Sequence, residues 1–306
     1  MNFEKLFSTI DTHVVGEAFR IVIQSPITFL GSDIKSNHDK LKNNFENEKN
    51  LLLNEPRGHR GMHGCVVTSS SVADFGLLFF NHEAVTNFKY EGLLATVTAL
   101  IETGNLNRKK EEIYTVETEN GIYTVKANVN KQEVASVYIE SEASSDINFT
   151  SDYVSIRVDN ARNYLLFTLP ESIPNIELVH LAALNNWGMA CVAKLAKENV
   201  DFEGVIVVES GQTSPNKVRS VTFEKDGYIL RSPGIDSTIA ILSSLLDRFA
   251  SFSEIENESI FGSSLKAKVL SASDRRFSIE TEAFVTGLHE FILDEDDPLR
   301  NGFLLV

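Results

Sequence analysis

Three ionisable side chains stand at the starts of two apolar segments that are predicted to be helices. Lys89 and Glu91 come just before "GLLATVTALIE", and Asp236 comes just before "STIAILSSLLD". A helix N-terminus carries N–H groups without helical partners and about half a positive charge, so it binds anions such as a carboxylate. An amine or carboxylate side chain there could remove a proton from the carbon next to a bound carboxylate, or return one. These three residues are therefore the candidate catalytic residues.

The two carboxylates also have structural interpretations. Asp236 fits a helix N-cap, a role worth on the order of 1 kcal/mol. Its functional interpretation is a general acid/base or a cation ligand. Glu91 in a first turn would complement the helix dipole, or it would take part in the chemistry.

The position of Lys89 needs a separate explanation, because a cation next to a helix N-terminus is electrostatically disfavoured. One interpretation is a salt bridge with Glu91 and Asp236 that fills a dead site. Another is a desolvated lysine that acts as a base or imine former, with a carboxylate as acid partner. The third is simple solvent exposure. A pyridoxal phosphate imine has no further support, because no phosphate-binding glycine loop is evident.

The two helix starts are related by an internal repeat. Residues 89–102, "KYEGLLATVTALIE", align without a gap over residues 234–247, "GIDSTIAILSSLLD", at an offset of 145 residues. Glu91 aligns with Asp236, and each turn runs into an almost wholly apolar helix, which indicates a buried helix. The repeat predicts two α/β halves, each with a sheet around a central helix, whose helix N-termini meet at a cleft.

The flanking segments supply the strands that would hold these helices. "GCVVTSS", "FGLLFF" and "GVIVVES" are typical of short strands, and Asn120-Gly121 between two β-rich runs predicts a hairpin. The stretch "SDIKSNHDKLKNNFENEKNLLLNEP" predicts one amphipathic surface helix. We predict a first half-domain of residues 1–120 with 275–306, and a second of residues 121–274.

Composition narrows the class of partner and compartment. The chain has 306 residues and a formal net charge of -15, which argues against nucleic acid or an anionic membrane as main partner. Its two cysteines exclude a disulfide scaffold. No signal peptide and no run of about 18 apolar residues is visible, so a cytoplasmic protein is expected. Because His63, His82 and His180 are isolated, we predict no metal, and we predict no cofactor.

Four motifs along the chain resemble the proline racemase family, which includes hydroxyproline epimerases and dehydratases. They are "IDTHVVGEAFRIV" (10–22), "NEPRGHRGMHG" (54–64), "RSPGIDSTIA" (231–240) and "FVTGLHEFILDEDDPLRNGF" (284–303). The resemblance implies an α/β (α+β), diaminopimelate-epimerase-like fold of two pseudo-symmetric halves, a homodimer, and cofactor-independent isomerase chemistry. It also implies a small amino or imino acid bound in the interdomain cleft.

Residue by residue, the resemblance also places the expected site. The family's two catalytic cysteines fall on Lys89 and Gly234, and Glu91 replaces the histidine of the first catalytic turn. The remaining turn residues are the predicted substrate contacts: Tyr90, Gly92, Ile235, Ser237 and Thr238.

Further departures from the family pattern concern the pocket. Leu230 stands where the family has an aspartate, Gly61 where EPRGH usually continues to an aspartate, and "ARN" (161–163) where it has GGN. Cys65 and Cys191 lie in apolar stretches, which is typical of buried small hydrophobes. Thiol-based racemisation is therefore not expected. A non-thiol isomerase or lyase and a catalytically inactive binding or regulatory protein both remain open.

Overall fold

The computed structural model describes residues 3–26, 29, 33–82, 85–86, 88–131, 133–142, 146–158, 162–209, 216–249 and 252–304. The chain forms two compact units. Unit 1 comprises Met1–Tyr138 with Glu282–Val306, and unit 2 comprises Ile139–Thr281. The half-domain junctions expected from the sequence, 120/121 and 274/275, stay a prediction.

Both units consist of strands with a few helices. The strands are β1 (Phe3–Val14), β2 (Glu17–Gln24), β3 (Met62–Thr68), β4 (Phe75–Phe80), β5 (Val85–Thr86), β6 (Ile113–Thr118), β7 (Gly121–Asn130), β8 (Glu133–Glu142), β9 (Ile147–Phe149), β10 (Val154–Arg157), β11 (Asn163–Thr168), β12 (Gly204–Glu209), β13 (Lys217–Glu224), β14 (Glu254–Glu258), β15 (Ser264–Ser271), β16 (Arg276–Thr281) and β17 (Ala283–Asp294). The helices are α1 (Ile34–Asn44), α2 (Glu46–Leu53), α3 (Tyr90–Glu102), α4 (Leu181–Lys197) and α5 (Ile235–Arg248), with a 3-10 turn at Leu178–His180.

The two units share one strand topology. In unit 1, β2 is parallel to β3, β3 antiparallel to β4, β4 parallel to β6, and β6 antiparallel to β7. In unit 2, the same order of directions links β11, β12, β13, β14 and β15. Parallel neighbours need a crossover connection. The crossovers contain α1, α2 and α3 in unit 1, and α4 and α5 in unit 2. The internal repeat predicted from the sequence is therefore present in the topology.

The last crossover helix of each unit is its buried centre. Every residue from Tyr90 to Leu100 of α3 is buried, and so is every residue from Ile235 to Ser244 of α5. Helix α3 packs against β1, β2, β3, β7 and β17, and α5 packs against β10, β11, β14 and β15. Each fully buried large apolar side chain contributes about 1.5–3 kcal/mol. This packing fixes both helix starts, which lie 145 residues apart as the repeat predicts.

Two sequence predictions of local structure have opposite outcomes. The hairpin at Asn120-Gly121 is confirmed, with β6 and β7 antiparallel and Gly121 at a φ of 127°. The single surface helix is wrong, because the segment forms α1 and α2, separated at Phe45. The Phe45 ring is buried and meets the rings of Phe7 and Phe80 edge-on, at centroid distances of 6.5 and 5.2 Å. Turning this ring into the core breaks the helix.

Candidate functional site

The start of α3 brings together one group from each of three elements. Lys89 is the N-cap residue, with an extended backbone (φ −148°, ψ 121°). Its Nζ lies 3.0 Å from Nε2 of His63 on β3. The same Nε2 lies 2.9 Å from Oε1 of Glu17 on β2. Strands β2 and β3 are parallel neighbours, and His63 pairs with Phe19, two residues after Glu17. The last two groups therefore lie on adjacent strands of one sheet. We call these residues the Glu17–His63–Lys89 cluster.

The cluster lies in a largely dry environment. Glu17 is 0% exposed and His63 is 7% exposed, whereas Lys89 is partly buried. The imidazole of His63 is stacked on the ring of Phe19, with centroids 5.4 Å apart. Charges interact more strongly in such surroundings than in water. The cluster can therefore share protons and can present an amine at the helix N-terminus.

The other predicted residues of this turn are packed into unit 1. Glu91 is 2% exposed in the first turn of α3, where its charge complements the helix dipole. The Tyr90 ring meets Phe88 edge-on at 4.6 Å. A Cβ on Gly92 would lie 3.0 Å from the Cys65 sulfur, so a larger residue there would have to shift its neighbours by a few tenths of an ångström. Their catalytic or substrate-binding roles stay predictions.

Neither cysteine has the properties of an activated nucleophile. Burial raises the pKa of Cys65 to about 12. Burial also raises the pKa of Cys191 to about 11, although this residue is only half-buried. Both thiols are therefore protonated near neutral pH, and a thiolate is the nucleophilic form.

The start of α5 is built differently from that of α3. Its N-cap residue is Gly234, with a φ of 77°. The interpretation of Asp236 as the N-cap is therefore wrong, because Asp236 lies within the first turn. A Cβ on residue 234 would lie 2.9 Å from Oγ of Ser237. Gly234 is thus required by the conformation of this turn, because side chains rarely adopt such a φ.

Asp236 forms a buried ion pair. Its Oδ2 accepts a hydrogen bond of 2.6 Å from Nη1 of Arg162 and one of 3.2 Å from the hydroxyl of Tyr164 on β11. Asp236 is 8% exposed and Arg162 is 7% exposed. The Asp236 carboxylate is thus engaged by two side chains of its own unit. We call these residues the Arg162–Asp236–Tyr164 cluster.

The predicted substrate contacts of the second turn also have partners inside unit 2. The hydroxyls of Ser237 and Thr222 are 2.7 Å apart, and the Thr238 hydroxyl donates to the carbonyl of Gly234 at 2.7 Å. Ile235 is 0% exposed. Their substrate-binding roles stay predictions, as does the expected approach of Lys89 to Asp236 or Glu91.

One arginine joins the sequence motif at residues 284–303 to the motif at residues 54–64. Arg57 donates to the carbonyls of Leu299 and Arg300, both at 2.8 Å, and pairs with Asp297 at 3.3 Å. The turn that follows β17 in the acidic run at 294–298 is thus anchored by Arg57. We call these contacts the Arg57 clamp.

Sequence reasoning missed the partners of its own candidates. It treated His63 as isolated and assigned no role to Arg162 or Tyr164. Arg162 could have been noticed in the sequence, because it stands where the family pattern GGN has a glycine. His63 could not, because its partners on β2 and α3 are distant in sequence.

The described residues give no sign of a metal centre or a membrane span. Among them, no three His, Cys, Asp or Glu side chains are grouped closely enough to hold a metal ion. No helix in the described part of the chain is long and apolar enough to cross a membrane.

Comparisons with known proteins extend the motif resemblance to nearly the whole chain. A sequence model of the family "Proline racemase" matches residues 9–304. The chain is 29% identical to a trans-3-hydroxy-L-proline dehydratase from Bacillus thuringiensis subsp. konkukian, with 100% of both chains covered. It is 23% identical to a proline racemase from Acetoanaerobium sticklandii, with 99% of both covered.

A solved structure supports the same conclusion for the fold. A hydroxyproline epimerase from Agrobacterium vitis, with bound trans-4-hydroxy-L-proline, matches with a TM-score of 0.81 and 20% identity. The match covers 100% of this chain and 96% of that chain. The predicted α/β, diaminopimelate-epimerase-like fold is confirmed. Together with the match over residues 9–304, this shows that the chain belongs to the proline racemase family.

Proposed function

We propose that this protein binds a proline-like amino or imino acid and moves a proton at its α-carbon without a thiol, with Lys89 as the base. The observation that carries the proposal is the position of the Lys89 amine. It lies at the N-terminus of the buried helix α3, 3.0 Å from His63 Nε2. An amine at an anion-binding helix end can reach the carbon next to a bound carboxylate.

The chemistry needs only groups that unit 1 contains. The substrate carboxylate lies against the N-terminus of α3, which stabilises its negative charge. The amine of Lys89 takes the α-proton and becomes an ammonium, and the electron pair left on carbon is delocalised into the carboxylate. Return of a proton to the same face of the α-carbon exchanges the α-hydrogen, and return to the opposite face inverts the configuration. With a 3-hydroxyl on the ring, the same electron pair forms a double bond between the α-carbon and C3; the C3–O bond breaks, the leaving hydroxyl takes the proton from the Lys89 ammonium and departs as water, and Lys89 is again an amine.

Elimination of water fits the charged groups at the two helix starts better than inversion of the α-carbon by two bases does. Inversion needs a second group that delivers a proton to the opposite face. In unit 2, the corresponding helix start has Gly234 in the N-cap position, and the Asp236 carboxylate is bound by Arg162 and Tyr164. We therefore place a 3-hydroxyproline first among the substrates, as the name of the dehydratase relative suggests.

A substrate screen in deuterated water tests this function. The folded protein is incubated with L- and D-proline, trans-3-hydroxy-L-proline and trans-4-hydroxy-L-proline, and loss of the α-proton signal is followed by NMR. We expect exchange with at least one compound, and loss of water from the 3-hydroxy compound. A folded sample that exchanges none of them and releases no water contradicts the proposal.

The second candidate is a catalytically inactive binding or regulatory protein that retains the fold. The observation that favours it is the Arg162–Asp236–Tyr164 cluster, which places an internal carboxylate at the start of α5. Binding of a screened compound in calorimetry, without exchange or water loss, identifies this candidate.

A further inference from the structure

The imidazole of His82 lies between two oxygen atoms in unit 1. Its Nδ1 is 3.0 Å from Oδ1 of Asn54, and its Nε2 is 3.0 Å from the carbonyl oxygen of His59. Within the described part of the chain, the ring has no further hydrogen bond. A neutral imidazole has one N–H donor and one lone pair, whereas an imidazolium has two donors. Both oxygens therefore receive a hydrogen bond only when the ring is protonated.

The opposite side of the Asn54 amide fixes which of its atoms faces the ring. Its Nδ2 donates to the carbonyl of Asn301 at 3.2 Å and to Oδ1 of Asn50 at 3.4 Å. The Asn301 carbonyl is an acceptor only, whereas the Asn50 amide can offer either an oxygen or an N–H group. The oxygen of Asn54 therefore faces His82 for as long as the hydrogen bond to Asn301 exists.

A neutral ring cannot keep both of its contacts. The His59 carbonyl belongs to the backbone and cannot replace its oxygen with a donor, so the single ring hydrogen lies on Nε2. The lone pair of Nδ1 then faces the oxygen of Asn54, which is repulsive. A half-turn of the Asn54 amide brings its N–H group to Nδ1, and the same half-turn places its oxygen against the Asn301 carbonyl. Loss of the ring proton thus breaks the hydrogen bond to Asn301.

The surroundings of His82 set the pH range of this change. Burial lowers the pKa of His82, and the charges of His63 and Arg60 act in the same direction. Glu55 and the hydrogen bond to the His59 carbonyl act in the opposite direction. The asparagine side chains around the ring carry no charge. The ring is therefore neutral at neutral pH and gains its proton below the ordinary pKa of 6.5.

The hydrogen bond from Asn54 to Asn301 is one of several contacts between the motifs at residues 54–64 and 284–303. Glu55 and Phe303 exchange two backbone hydrogen bonds, both 3.0 Å long. A Cβ on Gly302 would lie 2.6 Å from Cβ of Asn54, which shows how closely the two segments approach. These contacts do not involve the ring of His82. The segments therefore stay together at neutral pH and gain one contact in acid.

We propose that His82 is a pH-sensitive switch, whose protonation turns the Asn54 amide and forms the hydrogen bond from Asn54 to the carbonyl of Asn301. The contacts in the structure are those of the protonated form. At neutral pH the amide is turned and this hydrogen bond is absent. The switch does not depend on the proposed function, because none of its groups takes part in the chemistry at Lys89.

An NMR titration without substrate tests the switch. The protein is labelled with 15N and 13C, and three signals are followed as the pH is lowered: the ring nitrogens of His82, the side-chain amide of Asn54 and the carbonyl carbon of Asn301. We expect the neutral ring to carry its hydrogen on Nε2. The signals of Asn54 and Asn301 should change with the same midpoint as the ring, below pH 6.5.

Two variants locate the coupling. Asn54→Ala removes the hydrogen bond that only the protonated form has, so the His82 midpoint is expected to fall by about one pH unit. The Asn301 signal should then no longer respond to the ring. His38→Gln, a change at another buried histidine of unit 1, is the control and leaves both signals as in the wild type.

Three results overturn the inference. They are a neutral ring with its hydrogen on Nδ1, Asn54 and Asn301 signals that do not follow the ring, and an unchanged midpoint in a folded Asn54→Ala protein. The first two are read from the wild type, so the test stays decisive if Asn54→Ala does not fold. The substrate screen has no part in the titration, so either proposal can fail without the other.

Discussion

Arg162 and Asp236 form one buried ion pair in unit 2. Arg162 stands where the family pattern GGN has a glycine. Removing either side chain takes away an ion-pair partner of the other in a buried setting, which costs about 3–5 kcal/mol. We therefore expect the two side chains to contribute to stability as a unit.

A double-mutant cycle tests this dependence. Arg162→Met and Asp236→Thr are each expected to lower the free energy of unfolding by about 3–5 kcal/mol. The double variant is expected to lose less than the sum, with a coupling of about 1–3 kcal/mol in urea unfolding. Strictly additive losses would show that the two charges are stabilised independently.

The positions of Lys89 and Gly234 at helix starts could be predicted from the sequence, whereas the side chains around these starts could not. A helix start is encoded by a few consecutive residues. The contact of Lys89 with His63 joins positions 26 residues apart, and that of Asp236 with Arg162 joins positions 74 apart. Such contacts follow from sheet register and helix packing, which a local pattern does not contain.

At the scale of the elements, the two helix starts differ in backbone conformation. Gly234 has a φ of 77°, whereas Lys89 is extended. Cysteine at position 234 would therefore be strained in this conformation, since a left-handed backbone costs about 1–2 kcal/mol for residues with a Cβ. A cysteine cannot be restored there without changing the turn.

Alanine substitutions measure this strain. Gly234→Ala is expected to destabilise by more than about 1–2 kcal/mol, because its Cβ also meets Ser237 Oγ. Gly104→Ala is the matched control, with a φ of 74° and no atom within 4 Å of the added Cβ. Equal losses in thermal unfolding would mean that the contact with Ser237 adds nothing.

The Arg57 clamp belongs to the same scale, since it holds one loop against another. Arg57→Ala removes hydrogen bonds to the backbone carbonyls of Leu51, Leu299 and Arg300, and the ion pair with Asp297. We expect faster hydrogen exchange at residues 295–303, with the exchange of α3 unchanged. Asp297→Asn retains all three hydrogen bonds from Arg57 to carbonyls and is expected to have a small effect, because exposed ion pairs contribute about 0–1 kcal/mol. Equal effects of the two changes would contradict the clamp.

At the scale of the whole molecule, the α/β class and the internal repeat could be predicted because they reside in patterns that extend along the chain. Apolar helices that recur at a constant offset, and the strand patterns between them, can be recognised in a sequence despite local irregularities. The break between α1 and α2 could not be predicted, because Phe45 leaves the helix to pack with Phe7 and Phe80. Long-range packing outweighs helix propensity there.

Stability of the whole molecule should also depend on pH through His82. Burial lowers the pKa of His82, while its hydrogen bond to the His59 carbonyl acts in the other direction. The unfolded chain therefore binds a proton more readily, so this contribution is complete above the ordinary pKa of 6.5 and is lost as the pH falls below it. We expect the wild-type protein to lose more unfolding free energy below that pH than His82→Gln does. Parallel curves for the two proteins would contradict this.

The most direct test of the central claim is the rate of α-proton exchange in Lys89→Met, with the best substrate from the screen. Lys225→Met is the control, since it removes an exposed lysine of unit 2. The account predicts a loss of about 10²–10⁴-fold in Lys89→Met, the usual contribution of a general base, and no change in the control. A folded Lys89→Met protein that exchanges at the wild-type rate would contradict the assignment of Lys89 as the base.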